Sequence, residues 1–180
     1  MITLRDLANW ESRVATIVGQ TEGLLEDRDR ALERSGLYAE YPAILSGYLA
    51  LLDDEGSALE ALKRAVFLVW YSAVEPPMLS GIAELPESAV RATLEALERA
   101  FREGAIDDEL RWMMAWYHRA GDYALLRTPG LLALEAEIAG ESTPKRPPAR
   151  DERMAERGLL GRYWSSLSGR DGETGGSADA

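Results

Sequence analysis

Between Ala65 and Val74 the chain carries apolar side chains interrupted by one serine, and Glu75-Pro76-Pro77 follows at once. A helix through this stretch has no polar face, so it has to run through the centre of a fold with other elements wrapped around it. The prolines end it, because a residue before proline is pushed out of the α region. It begins upstream at Ser57, read as a cap with Glu60 at the capping-box position, and it also carries Leu59 and Leu62. The apolar run is well short of the roughly 20 residues a membrane-spanning helix needs.

The remaining chain supplies helices to surround it. Ala, Leu, Glu and Arg dominate and β-branched residues are sparse, which favours helix because straight side chains lose little rotamer freedom there. Thr3 and Asp6 read as a capping box for a first helix with Leu7, Trp10, Val14, Ile17 and Val18 at helical spacing. Leu24, Leu25 and Leu32 continue the pattern, Gly19 and Gly23 mark a break, and Ser35-Gly36 stops it. A second helix opens at Pro42 and runs to Leu52, followed by the acidic turn Asp53-Asp54-Glu55-Gly56. The central helix is the third. After a connector over 78–85, Pro86 and Glu87 open a fourth with the stripe Val90, Leu94, Leu97 and Phe101, ended by Gly104. Asp107 caps a fifth, rich in large groups from Leu110 to Tyr117 and closed by Gly121, and a sixth runs from Thr128 or Pro129 to about Ile138.

Residues 1–139 therefore read as one helical domain and 140–150, rich in Pro, Ser, Thr, Lys and Arg, as a linker. Residues 151–167 read as a segment that docks on the body. The stretch 168–180 has no large apolar residue and reads as a disordered tail.

Tryptophan and tyrosine sit side by side at Trp70-Tyr71, Trp116-Tyr117 and Tyr163-Trp164, each trailing a proline: Pro42, Pro86 and Pro129. The tryptophans are spaced by 46 and 48 residues and the prolines by 44 and 43, a period that suits a repeated helical hairpin. In spacing alone this resembles solenoids of HEAT type. Pro42 to Tyr71 aligns well with Pro86 to Tyr117, whereas the third copy keeps only its flanking proline and aromatic pair. The expectation is an all-α single domain of about six antiparallel helices in hairpins, as a bundle or a short irregular HEAT-like array. The first two pairs end the two most hydrophobic helices and should stack at its centre. Tyr163-Trp164 should anchor the C-terminal segment.

Charge and composition narrow the function classes. There is no cysteine among 180 residues, which excludes disulfides, thiolate metal sites, iron–sulfur clusters and a cysteine nucleophile. The N-terminus meets charge at once and lacks the apolar stretch of a signal peptide, so a cytoplasmic protein is expected. The net charge is −11, and residues 1–140 hold 24 acidic against 13 basic side chains, while 141–180 hold 7 of each. Such a field opposes nucleic acid phosphates and anionic lipids and favours a basic partner.

No phosphate-binding glycine loop, nucleophile elbow, metal cluster or cofactor signature appears. His118 is the lone histidine, and four residues before it stands Met114, so no ligand pair forms on that turn. Glu75 closes the most apolar helix one turn from Tyr71, with Lys63 and Arg64 the nearest cations within that helix. The leading expectation is a non-enzymatic acidic helical protein that binds another protein, as an adaptor, inhibitor or immunity-like partner. Its contacts are expected at the acidic turns Asp53, Asp54, Glu55 and Asp107, Asp108, Glu109, at equivalent ends of successive hairpins. One alternative is a small-molecule site or enzyme pocket between the third and fifth helices, lined by Trp70, Tyr71, Glu75, Trp116, Tyr117 and His118. Another is nucleic-acid binding by the strip from Lys145 to Arg162, although such a strip more often folds back on its own acidic body. Neither a metal, a cofactor nor a membrane contact is expected.

Overall fold

The computed structural model describes residues 2–121 and 152–170, and all the regular structure in them is helical. In chain order these are α1 (Leu4–Gln20), α2 (Leu25–Arg34), a 3-10 turn (Leu37–Ala39) leading into α3 (Glu40–Leu49), α4 (Ala58–Val74) and α5 (Pro77–Ser80). They continue with α6 (Glu87–Glu103), α7 (Asp108–Gly121) and a 3-10 turn (Glu152–Arg157) leading into α8 (Gly158–Arg170). The chain is an all-α single domain.

The centre is α4, as its apolar run requires. Every residue from Ala61 to Trp70 is buried, and α4 packs against α3, α5, α6, α7 and α8. Each large apolar side chain so enclosed contributes about 2 kcal/mol over an exposed one. The helix stops at Glu75, whose backbone is extended before Pro76. Its start differs from the capping-box reading. Ser57 Oγ donates to Asp54 Oδ2 at 2.6 Å instead of capping the helix, and Glu60 is drawn to Arg64 and Arg157.

At α1 the capping box is present: Asp6 N donates to Thr3 Oγ1 at 3.2 Å and Thr3 N to Asp6 Oδ2 at 3.0 Å. The buried face is Leu7, Ala8, Glu11, Val14 and Val18, while Ile17 is 45% exposed. The apolar stripe is thus rotated from its expected position, with a glutamate inside it. The break before α2 falls at 21–24, and Leu24 and Leu25 are exposed while Leu32 is buried. Where α1 crosses α3, a Cβ on Gly47 would lie 2.6 Å from Leu7 Cδ2, so any larger residue there displaces the Leu7 side chain.

Pro42 does not open its helix. It is the third residue of α3, where its missing N–H matters little because first-turn amides have no partner within the helix. Pro86 is likewise the cap of α6 rather than its first residue. The expected connector contains α5, and Asp107 Oδ1 accepts from Leu110 N at 2.9 Å as the predicted cap of α7. Residues 168–170 continue α8 rather than beginning a tail. The expected sixth helix, the 140–150 linker and the tail beyond 170 lie outside the described residues.

Candidate functional site

Four elements meet around the first turns of α4. Lys63 Nζ donates to Asp107 Oδ2 at 2.6 Å and to Glu109 Oε2 at 2.5 Å. Arg64 donates from Nε to Glu60 Oε1 at 2.7 Å and from Nη1 to the Leu4 carbonyl at 3.1 Å. Arg157 donates from Nε and Nη2 to the two Glu60 oxygens, each at 2.8 Å, and from Nη1 to Glu109 Oε1. The network ties α1, α4, α7 and the turn before α8 together. Burial alone would raise the pKa of Asp107 and Glu109, but Lys63 and the Leu110 amide hold Asp107, and Arg157 with Lys63 holds Glu109, below the usual carboxylate range. Burial would lower Arg157, but the carboxylates of Glu60 and Glu109 outweigh it and raise it.

A cleft of about 490 Å³ opens beside this network, lined among others by Leu4, Arg5, Glu60, Arg64, Arg153 and Arg157. Arg64 and Arg157 already hold carboxylates of the same cleft, so its chemistry is that of a clasp. Arg157, from the basic strip, is turned onto the acidic body.

The second fastening is Glu11, only 1% exposed. Its Oε2 accepts from Leu159 N at 2.8 Å across 148 residues, placing a carboxylate at the positive end of α8. Gly158 makes the approach possible: its φ is 60°, and a Cβ there would lie 1.7 Å from that oxygen and 3.3 Å from Ala8 Cα. Burial pushes Glu11 up to about 7, against the pull of the Leu159 amide and Arg64.

Between α4 and α7 the rings fill the space themselves. Trp70 stacks on Tyr117 with centroids 4.4 Å apart, and Phe67 on Tyr71 at 5.0 Å. Tyr163 stands edge-on to Trp70 and Tyr71, Trp164 edge-on to Trp112 at 4.7 Å, and Trp116 Nε1 donates to Tyr163 Oη at 3.1 Å. All three aromatic pairs therefore join one cluster, each contact of this kind adding about 0.5–1.5 kcal/mol beyond area burial. Trp70 touches Tyr71 and Tyr117, Trp116 joins them through Tyr163 and Trp164, and none of the four lines the cleft beside Arg157 or the groove between α4 and α6. Burial, then the charges of Glu75 and Tyr163, raise the Tyr71 hydroxyl to about 12. Lys63 and Arg64, the expected cations of Glu75, are engaged elsewhere. His118 is half-buried in the last turn of α7, where a cation suits the helix dipole.

The two acidic turns have different fates. Asp107 and Glu109 are bound to Lys63 and Arg157, leaving Asp108 exposed beside them. Asp53, Asp54 and Glu55 all stand exposed between α3 and α4. None of the ion pairs among the described residues reaches this turn. Beside it a groove of about 120 Å³ runs between α4 and α6, walled by Leu52, Leu59, Leu62, Ala96 and Ala100, with Arg99 and Glu103 at its edge.

Sequence reasoning missed Glu11, Glu60 and Arg157. Glu11 had a local signal, lying four residues after Leu7 and three before Val14 on a helical stripe. Arg157 had none, since its partners stand 97 and 48 residues away. Among the described residues no cluster of three or more His, Asp or Glu side chains is arranged to hold a metal ion. The chain matches no protein-family model, no curated protein and no solved structure.

Proposed function

We propose that the protein works by binding another protein of basic surface, as an adaptor, inhibitor or immunity-like partner does. The observation that carries this reading is where the charges go. Lys63, Arg64 and Arg157 are turned inward onto Glu60, Asp107 and Glu109, while the turn Asp53-Asp54-Glu55 displays three acids to solvent. Residues 1–140 carry 24 acidic and 13 basic side chains, and a negative field of this kind steers basic partners and raises their association rate. No described helix is long and apolar enough to cross a membrane.

The test is capture from extract of the source cells on the immobilised full chain. The expected result is retention of a basic protein in low salt, its loss near 0.5 M salt, where the Debye length falls to about 4 Å, and its loss with the triple variant Asp53→Asn, Asp54→Asn, Glu55→Gln. Retention of no basic protein, or equal retention by the triple variant, overturns the reading.

A further inference from the structure

We infer that the groove between α4 and α6 receives a single bulky apolar side chain, leucine or an aromatic, from a partner segment in which lysine or arginine flanks that anchor. This rests on the protein-binding reading above and adds to it the site and the chemistry of the occupant.

The groove exists because of a size mismatch. Leu52, Leu59 and Leu62 form one wall, but the facing positions of α6 are Ala96 and Ala100, whose methyl groups cannot reach across. Interiors otherwise pack to the density of organic crystals, so a gap of this shape on the surface is a place where an incoming side chain gains contacts. Its volume of about 120 Å³ suits one such group, since a cavity of about 150 Å³ holds one benzene ring.

Charge selects what surrounds the anchor. Leu52, in the groove wall, is followed directly by Asp53, Asp54 and Glu55, and Glu103 stands at the edge with Arg99 the lone base of the lining. A segment laid along the groove meets Glu103 and Arg99 at its edge and, where it passes Leu52, the three exposed carboxylates that follow that residue. Positive residues on either side of the anchor match this, and they also set the salt dependence. A second copy of the chain does not match, because each copy brings a net charge of −11 and the same acidic turn.

The test uses the intact chain and two synthetic peptides, an oligolysine with one central leucine and the same peptide with alanine there. Binding is followed by fluorescence anisotropy and by the methyl resonances of Leu52 and Leu62. The leucine peptide should bind roughly tenfold tighter, the ratio that burying one leucine supports, and should shift both methyls where the alanine peptide does not. Ala100→Leu, which fills the groove without altering charge, should remove the leucine preference and keep the weaker salt-sensitive binding. Equal affinity of the two peptides for the wild-type chain, with salt sensitivity retained, overturns the groove and leaves the acidic reading standing. Failure of both peptides to bind overturns both. The methyl shifts come from the wild-type chain, so they decide the matter even if Ala100→Leu folds poorly.

Discussion

Replacing Glu11 with glutamine should flatten a pH dependence that this one buried carboxyl imposes on stability. In the folded chain burial lifts the group from 4.5 to about 7. Below pH 4.5 both folded and unfolded chains hold the proton, and Glu11 exerts no pH effect. Between 4.5 and about 7 the unfolded chain has released it while the folded chain keeps it, so stability falls as pH rises. Above that window both are ionised and the loss is complete. The gap between the two values, at about 1.36 kcal/mol per pH unit, is worth roughly 3 kcal/mol. Glutamine has the same size and keeps a carbonyl for the Leu159 amide, but it never ionises. The cost of seating its amide is independent of pH, so the difference between the two proteins isolates the titration. Asp107 and Glu109 act in the opposite sense, because their lowered pKa values give stability that is lost only as pH falls through them. They are common to both proteins and cancel. Tyr41 and Tyr48, raised well above 10, and Arg64 stay in one state across the window. The measurement is urea unfolding followed by tryptophan fluorescence at a series of pH values, with the Glu11 carboxyl carbon titrated by NMR. Parallel stability curves for the two proteins, or a carboxyl midpoint in the ordinary range near 4.5, would refute the reasoning.

Three other substitutions probe different parts of the fold. Gly47→Ala places a methyl 2.6 Å from Leu7 Cδ2, and overpacking of this kind costs about 1–3 kcal/mol; an unchanged or higher urea midpoint would show that α1 yields freely. Arg157→Gln leaves Glu60 and Glu109 without their shared guanidinium while Arg64 and Lys63 remain on them, so about 2 kcal/mol should be lost. The amides of α8 should then exchange with solvent faster than those of α6, and uniform exchange would argue against the clasp. Trp116→Phe removes the 3.1 Å bond from Nε1 to Tyr163 Oη while keeping a ring in place. A loss of about 1 kcal/mol is expected, and no change in thermal midpoint would mean that water replaces the bond at no cost.

The placement of α4 was legible because everything that decides it is local. The buried residues from Ala65 to Trp70 fall in the stretch that the sequence leaves without a polar face, and two prolines fix its end. Thr3 with Asp6, Asp107 as a cap, and the break before α2 rest on the same short-range hydrogen bonding and backbone geometry. The convergence of all three aromatic pairs was only partly legible: apolar weight put two of them at the centre, whereas the contact of Tyr163 with Trp70 and Tyr71 depends on how α8 lies across α4.

Tertiary structure decided the rest. In α1 the sequence allowed the apolar stripe to be centred on Ile17 or on Glu11, since neighbouring residues on a helix differ by about 100° and both faces carry Val14 and Val18; packing of α8 against α1 chose the glutamate. Lys63 and Arg64, written into the most apolar helix, became buried because Asp107, Glu109, Glu60 and Arg157 arrived from distant parts of the chain to neutralise them. The turn Asp53-Asp54-Glu55 and the turn Asp107-Asp108-Glu109 read alike in the sequence, yet all three acids of the first are exposed while two of the second, Asp107 and Glu109, are bound. Local rules set which residues form helices and where those helices stop, through interactions within a few positions. Which charges end up paired is settled by neighbours brought together across tens of residues, and no spacing along the chain encodes that meeting.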